Sequence, residues 1–177
     1  MTVVAAIVLA AGEGSRFGGP KQQLLLPHVV RRVARTSVED IVVIVGAHRF
    51  PVEGARVVAC DDWQRGPGAS LRAGLAALSP ETEAAVVCLA DGPLLSPDAV
   101  ERVIEALRAG AGSVVAASYG GARGHPVCLG RDAWSDIPDE GGRALPAVLV
   151  PCDDLGAPGD VDTPNDLRGV EKLLGDD

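Results

Sequence analysis

Short apolar runs alternate along the chain with segments whose apolar residues recur at helical spacing. Three runs are continuous and rich in Val and Ile: VVAAIVLA, DIVVIVG and AAVVCLAD. Continuous runs of this kind are typical of strands that are covered on both faces of a parallel sheet. Shorter or edge strands are predicted at four further runs: ARVVAC, SVVAAS, PVCLG and AVLVPC.

Helical patterns separate these strands in four places: HVVRRVART, ASLRAGLAALS, SPDAVERVIEALRAG and TPNDLRGVEKLLG. Ser96-Pro97 and Thr163-Pro164 each place an N-cap oxygen before a proline at the first helical position. Gly110 and Gly175 follow the last apolar positions and predict helix ends. The alternation predicts an α/β fold with a mostly parallel sheet, in which ligands bind beyond the carboxyl ends of the strands.

Composition and charge limit the classes of function. The chain has 177 residues, of which 47% are apolar and 23% charged, and we expect one domain over residues 1–177. A net charge of −8 argues against binding a nucleic-acid backbone. No apolar run reaches the roughly 18 residues of a membrane span. The apolar start lacks a basic segment, and the four cysteines lie far apart, so we expect free thiols in a cytoplasmic protein.

The segment AGEGSRFGGPK, from Ala11 to Lys21, follows the first predicted strand. It is not a P-loop, because Lys21 is followed by Gln22 rather than by Ser or Thr. It is not a dinucleotide fingerprint either, because Phe17 stands where the third glycine is required. Its glycines and its cations Arg16 and Lys21 nevertheless suit phosphate oxygens. A flexible surface turn with two solvated cations is the alternative.

Two acidic stretches complete this candidate site. Asp91 ends the apolar run AAVVCLAD, and Asp160, Asp162 and Asp166 lie in GDVDTPNDL. Taken separately, these acids could be a turn residue and a helix-capping device. Taken together with the loop, they predict a nucleoside triphosphate site, in which Asp91 and Asp162 bind Mg²⁺ and the loop cations hold the phosphates that leave.

Six motifs resemble those of one enzyme family: LAAGEGSRFGGPKQQLL, GASLRAGLAAL, LADGPLLSPDAVERVI, GGARGHPVCLG, DEGGRAL and DVDTPNDL. They resemble the MobA-like nucleotidyltransferases that act on molybdenum cofactor, and most of all the cytidylyltransferases among them. The resemblance covers nearly the whole chain. It implies a Rossmann-like three-layer sandwich of the nucleotide-diphospho-sugar transferase type. It also implies attack by a phosphate of molybdopterin on the α-phosphate of CTP, with release of pyrophosphate.

The resemblance also implies roles for individual residues. The strip that contacts the nucleotide base and its backbone would be Leu9, Ala10, Ala11 and Gly12. The triphosphate clamp would be Gly14, Ser15, Arg16 and Lys21. Catalysis would fall to Arg16, Lys21 and Asp91, and Mg²⁺ binding to Asp91 and Asp162. Ser70 would open a helix toward the nucleotide, or simply cap it. The acceptor would meet Arg123, His125, Gly142 and Arg143, although a lone histidine often makes only a structural hydrogen bond.

Two departures from the family pattern leave alternatives open. The segment after Lys21 is shorter than usual before the first helix, and Gly92 replaces the usual Gln. A guanylyltransferase that acts on molybdopterin or on another phosphorylated small molecule is one alternative. A nucleotide-binding accessory protein without turnover is another. The resemblance further implies a molybdoenzyme as a protein partner.

Overall fold

The computed structural model describes residues 1–14, 17–18 and 21–175. Within these ranges a sheet of seven strands forms the centre of the molecule: β1 (Val4–Ala10), β2 (Asp40–Val45), β3 (Arg56–Ala59), β4 (Ala84–Leu89), β5 (Val114–Tyr119), β6 (Ala122–Gly130) and β7 (Val148–Pro151). The spatial order is β3-β2-β1-β4-β6-β5-β7. Only β6 runs antiparallel to its neighbours β4 and β5; the other paired strands of the described sheet are parallel.

Helices cover both faces of this sheet: α1 (Lys21–Val33), α2 (Pro67–Ala76), α3 (Pro97–Arg108) and α4 (Pro164–Leu174). Alternate residues of β1 face opposite layers. Ala6 and Val8 pack in the cluster that contains residues of α1 and α3, whereas Ala5 and Ile7 pack in the cluster that contains residues of α2. This arrangement confirms the predicted three-layer α/β sandwich with a mostly parallel sheet. It also explains the continuous apolar runs, because neither face of the central strands meets water.

Helix α1 corrects the expectation that the first helix begins near His28. The helix begins at Lys21 and includes Pro27, although a proline inside a helix removes a backbone hydrogen bond. The buried positions of the helix recur at intervals of three and four residues: Leu25, Leu26, Val29, Val30 and Val33. Burial of this apolar face outweighs the cost of one missing bond. As a result, Lys21 lies in the first turn of a fixed helix rather than in a loop.

The predicted helix ends hold in part. Thr163 caps α4 with a full capping box, in which Asp166 N–H donates to the Thr163 side chain and the Asp166 carboxylate accepts from Thr163 N–H. Ser96 occupies the N-cap of α3 and Pro97 its first position, as predicted, but the Ser96 side chain makes no capping hydrogen bond. At the other end of α3, Gly110 has a φ of 81° and satisfies the last carbonyls, as its sequence position predicted.

Two further sequence predictions concern membranes and cysteines. Among the described residues, no helix combines the length and apolarity that crossing a membrane requires. The four cysteines are buried free thiols. Burial raises the pKa of Cys88 and of Cys128 to about 12. These thiols are therefore held protonated in the core and pack as small apolar side chains.

Candidate active site

The ammonium group of Lys21 joins the two acidic stretches. Its Nζ lies 3.3 Å from Asp91 Oδ2 and 3.1 Å from Asp162 Oδ1, and it donates a 2.7 Å hydrogen bond to the carbonyl of Val161. Lys21 is separated from each of these three residues by 70 positions or more along the chain. Lys21 is only 7% exposed, so this is a cation held in a largely desolvated position between two carboxylates.

Backbone contacts fix the two carboxylates next to each other. Asp91 follows β4 at the carboxyl edge of the sheet, and Val161 N–H donates a 2.8 Å hydrogen bond to the carbonyl of Asp91. Asp162 N–H donates to the Asp166 carboxylate, which also takes part in the capping box of α4. The capping device and the acidic site are therefore one structure. The prediction of a capping device is confirmed. The structure also brings Asp162 and Asp91 to one ammonium group, whereas their roles as metal ligands stay a prediction.

A cavity of about 220 Å³ opens beside these carboxylates. Its described lining includes the glycine-rich loop, the ends of β1 and β4, and the ion-paired residues: Leu9, Gly12, Gly14, Lys21, Gln22, Leu89, Ala90, Asp91 and Asp162. The other Asp91 oxygen, Oδ1, is buried and receives no hydrogen bond from the described part of the chain. A buried carboxylate oxygen without a donor is costly for an apo protein and is a suitable ligand for a cation.

Gln22 is a residue that the sequence analysis did not select. Its Nε2 donates a 3.0 Å hydrogen bond to the carbonyl of Gly12 and so attaches the loop to α1. Its Oε1 is buried, and no described residue donates to it. Its position directly after Lys21 was the available signal in the sequence. The sequence analysis missed it because the first helix was predicted to begin several residues later.

The glycine-rich loop is also held from the side of β2. Ala47 N–H donates 3.1 Å to the carbonyl of Ala11, and His48 Nε2 lies 2.9 Å from the carbonyl of Glu13. Gly14 has a φ of 67°, which favours glycine at this turn. Ser15 and Arg16, which were assigned to the phosphate clamp, lie outside the described residues.

A second cavity, of about 540 Å³, adjoins the first, and the two share Leu9 and Leu89. Its walls are largely apolar. The four residues that were assigned to the acceptor all line it: Arg123, His125, Gly142 and Arg143. Asp160 lies at its rim, and its pKa is raised, first by burial and then by the charges of Asp91 and Asp162.

The two arginines of this cavity have different surroundings. Arg123 donates to the carbonyls of Gly142 (2.8 Å), Leu145 (2.5 Å) and, weakly, Arg143 (3.4 Å). Its guanidinium therefore holds the turn at residues 142–145. The Arg143 guanidinium has no hydrogen bond or ion pair with the described residues. Burial, followed by the charges of Arg123 and Arg143, lowers the pKa of His125 to about 4, so the imidazole is neutral near pH 7.

Comparison with known proteins assigns most of this chain to a family. Residues 6–150 match the family described as the MobA-like NTP transferase domain. The chain belongs to the MobA-like NTP transferase family. This finding confirms the resemblance at the level of the family and leaves the molybdenum-cofactor cytidylyltransferase assignment as a proposal.

Relatives of this MobA-like domain include two longer enzymes. The bifunctional protein GlmU of Sorangium cellulosum is 31% identical over 129 residues, which are 62% of this chain and 27% of that protein. The 2-C-methyl-D-erythritol 4-phosphate cytidylyltransferase of Streptomyces coelicolor is 35% identical over 134 residues, 64% of this chain and 49% of that protein. The chain therefore spans between a quarter and a half of the length of these two relatives.

Solved structures resemble the MobA-like domain over its whole length. Rv0371c of Mycobacterium tuberculosis H37Rv has a TM-score of 0.77 and 28% identity, and the match covers 98% of each chain. The same mycobacterial protein has also been solved as a complex with manganese, with a TM-score of 0.72, 24% identity and 98% of each chain covered.

Two features of the MobA-like domain differ from the sequence analysis. Ser70 does not open a helix, because α2 begins at Pro67 with Gly66 as its N-cap. Ser70 is buried in the second turn and is not among the residues that line the two cavities. Gly92 lies against the segment at residues 157–160, and a Cβ at this position would come within 2.8 Å of Pro158 Cβ. The space next to Gly92 is thus taken by Pro158, which also lines the larger cavity.

Proposed function

We propose that this protein is a nucleotidyltransferase that transfers CMP from CTP to a phosphorylated acceptor, molybdopterin, with release of pyrophosphate. The single observation that carries the proposal is the meeting of Asp91, Lys21 and Asp162 beneath the glycine-rich loop. Structural ion pairs do not require a glycine-rich loop beside them, whereas a triphosphate site does.

The residues present fit a divalent cation. Asp91 and Asp162 would hold the ion, in keeping with the one or two protein carboxylates that Mg²⁺ uses beside substrate phosphates. The buried Oδ1 of Asp91, which lacks a donor among the described residues, favours this role. When bound, the cation supplies neutralisation of the triphosphate charge. The manganese complex of the similar mycobacterial protein supports a divalent metal, and we take Mg²⁺ as the ion in this chain.

The protein's own groups would contribute alignment and charge. The backbone of the loop at Gly12 and Gly14 would approach the phosphates, and Arg16 and Lys21 would neutralise the leaving pyrophosphate. A phosphate acceptor is already ionised at neutral pH, so the reaction needs no general base. Most of the reduction in barrier would therefore come from holding nucleotide and acceptor in line.

The adjoining cavities provide that alignment. The smaller one would contain the triphosphate, and the larger one the acceptor, with Leu9 and Leu89 at their junction. Arg143 would bind an anionic group of the acceptor, whereas Arg123 would act as a positioning residue through the carbonyls that it holds. The apolar walls suit a ring system such as a pterin.

The choice of CTP is supported by the cytidylyltransferase among the relatives. Thermal shift measurements with Mg²⁺ test this choice directly. We expect CTP to raise the melting temperature more than GTP does. A shift with GTP and none with CTP would overturn the cytidylyl assignment and favour the guanylyltransferase.

Release of pyrophosphate tests the activity itself. With CTP, Mg²⁺ and molybdopterin, we expect turnover by the unchanged protein and a loss of about 100-fold or more in Asp91→Asn, as when a group that stabilises transition-state charge is removed. The matched control is Asp98→Asn, which removes an exposed carboxylate on α3. Undiminished turnover by Asp91→Asn would refute the role of Asp91. Absence of turnover with both CTP and GTP would refute molybdopterin as the acceptor.

A further inference from the structure

We propose that the Lys21 ammonium is a resident counter-ion of the acidic site, which a divalent cation displaces when it binds. In the metal-free protein Lys21 holds Asp91 and Asp162 together, and after displacement it becomes available to the nucleotide. This inference rests on one part of the proposed function, namely the binding of a divalent cation by the two carboxylates.

The hydrogen bonds of the Lys21 ammonium engage all of its N–H donors. An ammonium group has three N–H donors and no acceptor. Lys21 Nζ has three acceptors within hydrogen-bonding distance: one oxygen of Asp91, one oxygen of Asp162 and the carbonyl of Val161. No N–H remains for a phosphate oxygen. Lys21 can therefore act on a triphosphate only after it gives up at least one of these partners.

The position of the ammonium also conflicts with that of a shared metal. A cation held by both carboxylates would contact an oxygen of each. Lys21 Nζ already contacts both carboxylates, at 3.3 Å from Asp91 Oδ2 and 3.1 Å from Asp162 Oδ1. A metal at the buried Oδ1 of Asp91 would share this carboxylate with the ammonium, and two positive charges this close repel each other. Metal and ammonium thus compete for the same pair of carboxylates.

Lys21 neutralises part of the negative charge of the two carboxylates. Two carboxylates brought together by the Val161–Asp91 backbone hydrogen bond would repel each other if nothing neutralised them. Lys21 enters from the first turn of α1, whose apolar face is buried in the core, so its backbone position is fixed. The side chain alone can move, and the cavity lined by Gly12 and Gly14 is the space that it faces. Metal binding would accordingly prepare the phosphate site.

Calorimetric titration with Mn²⁺ in the absence of nucleotide measures this competition. We expect Lys21→Met to lower the Kd for Mn²⁺ by about tenfold, within the usual range of coupling between two sites. Lys172→Met is the matched control, because it removes the same charge from the exposed face of α4. It should leave the Kd unchanged. An unchanged or higher Kd in Lys21→Met would overturn the inference.

A second measurement uses the unaltered protein and so does not depend on the folding of a variant. The chain contains two lysines, Lys21 and Lys172. Acetylation by an amine-reactive reagent, followed by mass spectrometry, gives the rate at each. We expect saturating Mn²⁺ to raise the rate at Lys21 severalfold and to leave the rate at Lys172 unchanged. Equal rates at Lys21 with and without Mn²⁺ would overturn the inference.

The outcomes separate this inference from the proposed function. If the Kd for Mn²⁺ is the same with and without the Lys21 ammonium, the displacement is refuted and the proposed transferase function is unaffected. If neither the unaltered protein nor the two variants bind Mn²⁺, both the proposed metal site and the displacement are refuted. Turnover without displacement would show that Lys21 stays on the carboxylates throughout the reaction.

Discussion

At the scale of single residues, His125 shows how the fold changes the chemistry of a side chain. The isolated imidazole has a pKa near 6.5, whereas burial and the two neighbouring guanidinium groups lower it to about 4 in the folded protein. The carbonyl of His125 accepts a 2.9 Å hydrogen bond from the Tyr119 hydroxyl, which fixes the backbone here. The larger cavity therefore presents a neutral imidazole beside two arginines at pH 7.

This lowered pKa predicts a dependence of stability on pH. Between pH 6.5 and 4 the unfolded chain binds a proton at His125 and the folded chain does not, so the free energy of unfolding falls as the pH falls. Above pH 6.5 the titration of His125 does not lower the free energy of unfolding. By pH 4 it lowers the free energy of unfolding by at most about 3 kcal/mol. Urea denaturation across this range should show a shallower decrease for His125→Gln. An identical decrease in the variant would contradict the assignment of the effect to His125.

At the scale of elements, α3 and α4 begin with the same Ser/Thr-Pro signal but end up with different caps. The Thr163 side chain accepts from Asp166 N–H, whereas the Ser96 side chain makes no capping bond. Thr163→Ala should therefore lower the free energy of unfolding by about 1 kcal/mol. Ser96→Ala is the matched control and should cost clearly less in the same denaturant titration. Equal losses would mean that the capping box does not hold α4.

Glycines inside two helices provide a second comparison between elements. Gly74 of α2 faces the sheet, and a Cβ there would meet Ile7 Cγ2 at 2.8 Å, whereas a Cβ at Gly169 of α4 would meet nothing within 4 Å. Gly169→Ala should stabilise the protein by about 0.5–1 kcal/mol through helix propensity. Gly74→Ala should destabilise it by about 1–3 kcal/mol, because the close contact with β1 must open. Thermal unfolding should show a higher melting temperature for Gly169→Ala and a lower one for Gly74→Ala.

At the scale of the whole molecule, the segment at residues 157–162 connects the two cavities. Leu94 N–H binds the carbonyl of Pro158, and Val161 N–H binds the carbonyl of Asp91, each at 2.8 Å. The segment thus forms part of the larger cavity and also brings Asp162 to Lys21. Its close packing on Gly92 leaves no room for a side chain at that position.

Gly92→Ala should therefore affect both cavities at once. The added Cβ would push Pro158 away and move Asp162 relative to Asp91. We expect a loss of stability of about 1–3 kcal/mol, typical of overpacking, together with weaker Mn²⁺ binding. Calorimetry and denaturation measure the two effects on one sample, with Gly169→Ala as the control for a glycine replacement in open space. Unchanged Mn²⁺ affinity would show that a movement of Pro158 does not change the position of Asp162.

The sequence by itself determined the layers of the fold and predicted that the two acids belong to one site. Continuous apolar strands can be buried only between helices, so the α/β sandwich followed from the pattern. Asp91 was recognisable because an acid at the end of a buried strand requires a partner. These conclusions depend on local composition and on the general rule that ligands bind at the carboxyl edge of such sheets.

Only the tertiary structure decided where α1 begins and which charges are already engaged. Burial of one face of α1 overrides Pro27, and this places Lys21 on a rigid helix. Arg123 and Arg143 look equivalent in sequence, yet the carbonyls of a distant turn occupy the first and leave the second facing the cavity. Such differences depend on contacts between residues far apart in the chain, which no local pattern encodes. For the same reason, only the folded chain shows Lys21 between Asp91 and Asp162.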